Sequence, residues 1–161
     1  MTGVYVAAGS NVDARSNIRR ALNELRTVFP GLRSSRIYQN AAVGFAGDDF
    51  INLVVGFDTE LTLEQVISEL RRIETLCGRP RGAAKWAPRS MDLDILLYGD
   101  QVGVYPDATL PRPDLLKRPY MLGPLADLAP QVHHPTAGRS IGELWAAFDQ
   151  RAHSMQEIQI D

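Results

Sequence analysis

The chain has 161 residues, 45% hydrophobic and 22% charged, the balance of one globular domain with a core that needs neither disulfides nor a structural metal. A formal net charge of −2 argues against bulk nucleic-acid binding, and no run of 18 apolar residues offers a membrane span. Cys77 is the single cysteine, which excludes an internal disulfide or a Cys-based zinc site and fits a reducing cytoplasm.

The opening Met1-Thr2-Gly3-Val4-Tyr5-Val6 has no basic stretch before a long apolar run, so a secretory leader is not expected. Val4 to Ala8 reads as a buried strand ended by Gly9-Ser10-Asn11. Ser16 to Phe29 carries Ile18, Ala21, Leu22, Leu25 and Phe29 at helical spacing, and Pro30-Gly31 stops it. Arg33 to Asn40 reads as a strand, Ala41 to Asp49 as a loop, and Phe50 to Thr59 as a second strand paired with the first. Thr62 caps a helix whose stripe is Leu63, Val66, Ile67, Leu70 and Ile73, and Gly78 ends it. Residues 78–88 form a loop with repeated Gly and Pro breaks, expected to be mobile. Met91 to Tyr98 is a strand ended by Gly99-Asp100, and a Pro-rich stretch runs from Pro106 to Pro124. A short helix near Met121 to Leu128 and a last one over Ile141 to Gln150 follow. The last is opened by Ser140 with Glu143 at capping-box spacing. This order predicts an α+β fold, a ferredoxin-like βαββαβ core with a C-terminal extension, as one domain over 1–161.

The strongest chemical feature is Arg89-Ser90-Met91-Asp92-Leu93-Asp94-Ile95-Leu96-Leu97. On a strand Asp92 and Asp94 share a face, with Cα atoms about 6.6 Å apart. Paired metal ions sit about 3.5–4 Å apart with Mg–O bonds of about 2.0–2.1 Å, so this pair can flank two Mg²⁺ ions. Two exposed carboxylates on the solvent face of an edge strand would show the same spacing; the apolar residues around them weigh against that reading. Between Arg71 and Arg89 stand six Lys or Arg residues and one acid, Glu74. Arg79, Arg81, Lys85 and Arg89 there offer donors for phosphate oxygens, although a solvated basic loop has the same composition. Phe50, Asn52, Trp86 and Tyr120 could stack and read a flat heterocycle, while each ring alone also fits a core position. His133 and His134 splay apart beside Pro135 and read as loop residues. Neither a Gly-rich phosphate loop of the G-x-x-x-x-G-K-[ST] type nor a dinucleotide fingerprint is present.

The stretch Lys85-Trp86-Ala87-Pro88-Arg89-Ser90-Met91-Asp92-Leu93-Asp94-Ile95-Leu96 resembles the signature of the 6-hydroxymethyl-7,8-dihydropterin pyrophosphokinases. Ala8-Gly9-Ser10-Asn11, Asp49-Phe50-Ile51-Asn52, Ile73-Glu74, Gly78-Arg79-Pro80-Arg81 and Arg118-Pro119-Tyr120-Met121 extend the resemblance. It implies an α/β/α sandwich and an Mg²⁺-dependent diphosphotransferase of folate biosynthesis with ATP as co-substrate. Asp92 and Asp94 would bind two Mg²⁺ ions, and Arg79 and Arg89 would steady the transferring phosphates. Glu74, Arg81, Lys85, Trp86, Ile95, Thr109, Arg112 and Arg118 would lie at the nucleotide. Asn40, Val43, Phe50, Asn52 and Tyr120 would hold the pterin, with Phe50 and Tyr120 as a sandwich and Trp86 on a loop that closes over it. The chain differs from the family in Asn40-Ala41-Ala42, where Thr or Ser followed by Pro-Pro is common. It differs again in Arg112-Pro113, often a His-Tyr pair, and in Arg71, often Gln.

The expected reaction is in-line attack by the pterin hydroxymethyl oxygen on the β-phosphorus of ATP, releasing AMP. The expected partners are these two small molecules, with no nucleic acid and no membrane, and the expected state is a cytoplasmic monomer. A non-catalytic ferredoxin-like binding module and a metal phosphohydrolase are the alternatives. AMP release with and without the pterin separates all three.

Overall fold

A computed structural model describes residues 1–41, 48–78, 91–149 and 155–160. Its centre is β1 (Thr2–Ser10), paired antiparallel with β4 (Phe50–Thr59) on one side and β5 (Asp92–Tyr98) on the other. Beyond β4 lie β2 (Arg33–Ser34) and β3 (Ile37–Asn40), and β8 (Gln156–Ile158) extends β3. The order β5-β1-β4-β3-β8 leaves β5 as one edge of the sheet. Because every neighbouring pair is antiparallel, β1 and β3 run alike with β4 between them, and β4 and β5 run alike with β1 between them. Helices α1 (Ala14–Val28) and α2 (Leu63–Leu76) make these two crossovers, which is the ferredoxin-like βαββαβ arrangement expected from the order of elements.

Alternation of side chains along the strands divides the core in two. Val4, Val6, Ala8, Leu53, Val55, Phe57, Leu93 and Ile95 face α1 and α2, meeting Ile18, Leu25, Leu70 and Ile73. Phe29 and Phe57 stack there with ring centroids 3.8 Å apart. Thr62 starts α2 with a reciprocal cap: Gln65 N–H donates to Thr62 Oγ1 at 3.2 Å, and Thr62 N–H donates to Gln65 Oε1 at 2.9 Å. Such a cap contributes about 1 kcal/mol. On the other face Tyr5, Ala7, Val54 and Leu96 meet α3 (Pro119–Leu128) and α4 (Ile141–Ala147) through Leu122, Leu125 and Ile141. A Cβ on Gly123 would lie 2.9 Å from Trp145, so this glycine lets α3 and α4 approach closely. The result is the expected α/β/α layering.

Several boundaries differ from the sequence-based expectation. Helix α1 begins two residues earlier, after Asp13 in a left-handed conformation (φ 43°). The strand expected over Arg33 to Asn40 breaks at buried Ser35. Its N–H donates to Val54 O at 2.8 Å, and its Oγ accepts from Val54 N–H at 2.9 Å. Within the Pro-rich stretch, β6 (Gly103–Tyr105) and β7 (Ala108–Leu110) form a hairpin, followed by a 3₁₀ turn over Pro113–Leu116. Strand β8 was not expected, and its segment had no strand signal of its own. His134 is buried in a turn, where its Nδ1 accepts from the N–H groups of Thr136 (3.2 Å) and Ala137 (3.0 Å).

Candidate active site

The register of the sheet aligns one row of residues across four strands. Asp92 on β5 stands opposite Gly9 on β1, Gly9 opposite Asn52 on β4, and Asn52 opposite Tyr38 on β3. One step along, Asp94 faces Ala7 across β5 and β1. Ala7 belongs to the core under α3, so side chains of this parity, including Asp92, Asp94 and Asn52, project to the α3 side. Neighbouring strands lie about 4.7–4.9 Å apart, which sets Asp92 and Asn52 about 9.5 Å apart along the row. Gly9 keeps the interval open. A Cβ there would lie 2.7 Å from Asn52 Oδ1 and 3.8 Å from Phe50 Cδ1.

At one end of the row sit the acids. Asp94 is largely buried, and its carboxyl is held well above the ordinary carboxylic range, first by burial and next by the charge of Asp92; Arg112 opposes the shift. Arg112 comes from the segment after β7, anchored by its N–H donating to Leu96 O at 3.0 Å. Its Nη1 lies 3.6 Å from Asp94 Oδ1 and its Nη2 lies 3.6 Å from Asp114 Oδ2, both long for ion pairs. Arg112 Nε is buried and has no hydrogen-bond partner among the described residues. Two crowded carboxylates thus stand beside a cationic donor whose Nε has no acceptor among the described residues.

The donor set fits a hard divalent cation. Among the described residues no group of three or more His, Cys, Asp or Glu side chains converges as a complete cage. Mg²⁺ is commonly held by one or two carboxylates plus substrate phosphates, keeping several waters, so a pair of aspartates suffices.

At the other end of the row sit the amide and the rings. Asn52 Nδ2 donates to Asn40 Oδ1, and both belong to the face that carries Phe50. Asn52 is 8% exposed. Tyr120, in the first turn of α3, has its phenol raised above the usual value by burial, against the lowering field of Arg118; Asp114 and Asp94 add to the rise. Asp94, Arg112 and Arg118 all act on this phenol, so Tyr120 lies within electrostatic reach of the acid end of the row.

The side chains of two of the expected nucleotide residues do not project to the α3 side. The side chain of Ile95 is in the core under α1 and α2, so it can offer a ligand its backbone alone. Glu74 is 4% exposed on the same buried side. Its Oε2 accepts from Leu93 N–H at 2.8 Å, while its Oε1 accepts from Arg71 Nη1 at 3.0 Å. Arg71 Nη1 also donates to Leu93 O at 3.2 Å. Thr109 is exposed on β7, which packs beside β5, and Arg118 caps α3. Val43, Arg79, Arg81, Lys85, Trp86 and Arg89 lie outside the described residues, as does most of the loop expected to close over the site. Sequence reasoning missed Gly9 as the open floor of the row and Arg71 as a partner of β5. A signal for Glu74 was available: it continues the apolar stripe four residues after Leu70 and seven after Ile67.

Comparison with known proteins identifies the family and the fold. The sequence profile of the 7,8-dihydro-6-hydroxymethylpterin-pyrophosphokinase family matches residues 5–130. A 2-amino-4-hydroxy-6-hydroxymethyldihydropteridine pyrophosphokinase of Aquifex aeolicus is 34% identical over 145 residues, covering 89% of this chain and 90% of that one. One from Pseudomonas aeruginosa is 39% identical over 149 residues, with the same two coverages. The solved wild-type HPPK-DHPS of Plasmodium falciparum with pterin and p-hydroxybenzoate shares the fold, with a TM-score of 0.72 at 13% identity. That superposition covers 90% of this chain, which spans 42% of the length of the solved one. No helix among the described residues is long and apolar enough to cross a membrane. On its profile, its relatives and its fold, the chain belongs to the 7,8-dihydro-6-hydroxymethylpterin-pyrophosphokinase family.

Proposed function

We propose that the chain works as one pyrophosphokinase domain over 1–161, with two Mg²⁺ ions held by Asp92 and Asp94. The reaction transfers pyrophosphate from ATP to 6-hydroxymethyl-7,8-dihydropterin, giving AMP and the pterin diphosphate of folate biosynthesis. The observation that carries the residue assignment is the row Asp92–Gly9–Asn52, which sets the acid pair and a buried amide on one face of one sheet.

Asn52, oriented by Asn40, reads the edge of the pterin, Phe50 and Tyr120 enclose its faces, and Val43 is assigned to the same ligand from the sequence. The ring then lies over Gly9 with its hydroxymethyl arm directed toward Asp92. Arg112 and Arg118 receive the triphosphate from the α3 side. Arg79, Arg81, Lys85 and Arg89, which precede β5 in sequence, add fixed positive charge, and Trp86 shields the pterin. Thr109 meets the nucleoside. Hydrogen-bonding directions alternate along an antiparallel strand, so Ile95 turns its N–H and C=O to the same open edge of β5 as Leu93 and can pair with a base there. Bound Mg²⁺ supplies charge neutralisation to the phosphates. The hydroxymethyl oxygen attacks the β-phosphorus, a new O–P bond forms as the hydroxyl proton passes to water, and the bridging bond to AMP breaks with its charge spread among the arginines. The buried free thiol of Cys77 fits a reducing compartment, and we read the chain as a cytoplasmic monomer.

The test is AMP release from MgATP with and without the pterin. Pterin-dependent AMP together with pterin diphosphate is the expected result. AMP released equally without pterin would indicate a phosphohydrolase, and pterin or ATP binding without AMP would indicate a binding module.

A further inference from the structure

The open edge of β5 is held in an unusual way. Its other edge is paired with β1 along Val4–Gly9, but on the outer side no strand follows among the described residues. Leu93, the residue between Asp92 and Asp94, has both backbone groups on that outer side. Its N–H donates to Glu74 at 2.8 Å and its C=O accepts from Arg71 at 3.2 Å. Arg71 and Glu74 are joined at 3.0 Å, so the three groups close a ring between one turn of α2 and one residue of β5. Glu74 is buried and gives both carboxylate oxygens to these contacts at the outer edge of β5, near enough to Asp94 that it and Arg71 both act on that carboxyl electrostatically.

We propose that Arg71 and Glu74 are positioning residues that fix the β5 backbone at Leu93, and through it the two carboxylates that flank it. The proposal rests on the reading of Asp92 and Asp94 as the cation ligands. An edge strand without this ring would be free to shift or twist at the one residue whose neighbours must converge on the ions. Groups that orient metal ligands from behind commonly cost about 10- to 100-fold in metal affinity when removed. Arg71 carries part of that role here by bridging a backbone carbonyl and a carboxylate with one nitrogen.

The experiment measures Mn²⁺ binding by electron paramagnetic resonance in the presence of a non-hydrolysable ATP analogue. Amide exchange at Leu93 and the melting temperature are followed in parallel. Arg71→Ala leaves no buried cavity, because the side chain is 49% exposed, and should keep the fold. It is expected to weaken Mn²⁺ about tenfold and to speed exchange at Leu93, with pterin KM unchanged. Glu74→Ala should do the same more strongly, and Glu74→Gln, which keeps an oxygen for Leu93 N–H, should recover much of the loss. Asp92→Ala is the control for the underlying reading. If it binds Mn²⁺ normally, the ligand assignment fails. If it loses Mn²⁺ while Arg71→Ala and Glu74→Gln both match the parent in Mn²⁺ affinity and Leu93 exchange, the positioning role is overturned.

Discussion

The two faces of the sheet are built from the same strands yet do opposite work. The face under α1 and α2 is filled by aliphatic and aromatic side chains from Val4 to Leu93, and the single charged group set among them, Glu74, is fully engaged. The face under α3 is apolar only along part of its length. Toward the end of β1 it opens into Asp92, Gly9 and Asn52, where a carboxylate, a missing side chain and an amide replace packing. One face therefore holds the strands in register, and the other uses that register to place chemistry. Stability and activity should then separate by face.

The sharpest way to break this comparison is Asp94→Asn. It is expected to lower pyrophosphoryl transfer by at least about 100-fold, the scale of losing one preorganised charge group. In metal-free buffer it should leave the melting temperature unchanged or raise it, because it removes a buried charge crowded by Asp92. A variant both inactive and strongly destabilised would show that this face also carries the fold.

The opposite face is tested by Leu70→Ala. Leu70 is 1% exposed in the α1–α2 core, and the substitution should cost about 2–5 kcal/mol in chemical denaturation. Well below its melting point the variant should keep both KM values within about twofold, since uniform binding is untouched. A selective rise in pterin KM would contradict the division.

Next in size come the two residues of the row itself. Asn52→Ala removes the amide and should weaken pterin by about 1–3 kcal/mol, leaving ATP-analogue affinity near the parent value by calorimetry. Gly9→Ala places a methyl group 2.7 Å from Asn52 Oδ1 and should also raise pterin KM, by a comparable or smaller factor. Equal losses for both ligands would indicate that the row does not separate the two substrates.

The smallest effect concerns the α3–α4 layer. His134 is buried with Nδ1 accepting two backbone N–H groups, and burial holds its pKa below the ordinary value. The unfolded chain therefore takes up this proton more readily than the folded one. The stability it contributes is complete above the unfolded pKa of about 6.5 and is lost as pH falls through the lower folded value. Denaturation midpoints across that range should decline for the parent and decline less for His134→Gln.

Sequence alone revealed the acid pair because strand alternation is a local property of Asp92-Leu93-Asp94, and both crossover helices because their apolar stripes, and the cap at Thr62, are local too. The row was out of reach: Gly9 meets Asn52 and Asp92 through pairings 43 and 83 positions away, and nothing near Gly9 states its register. The break at Ser35 has the same origin, since a buried hydroxyl bonded to Val54 is a tertiary contact. The β6–β7 hairpin was readable in principle. Pro106-Asp107 is turn chemistry between two short strands, hidden by the prolines after it. Strand β8 gains its place from β3 and from Arg36, which bridges Asp127 and Glu157 across three elements.

The open edge of β5 has a consequence beyond catalysis. Exposed strand edges invite a strand from another chain, and proteins usually discourage this with prolines, lysines or bulges on the edge. Asp92-Leu93-Asp94-Ile95-Leu96-Leu97 carries none of the first two and is strongly apolar after Asp94. Its edge is blocked instead at two separate points, by the Arg71–Glu74 ring at Leu93 and by the Arg112 N–H at Leu96. Among the described residues this leaves between them one outward-facing residue, Ile95, a gap too short for an intruding strand to begin a ladder. The same two fastenings would thus protect the protein from edge-to-edge aggregation.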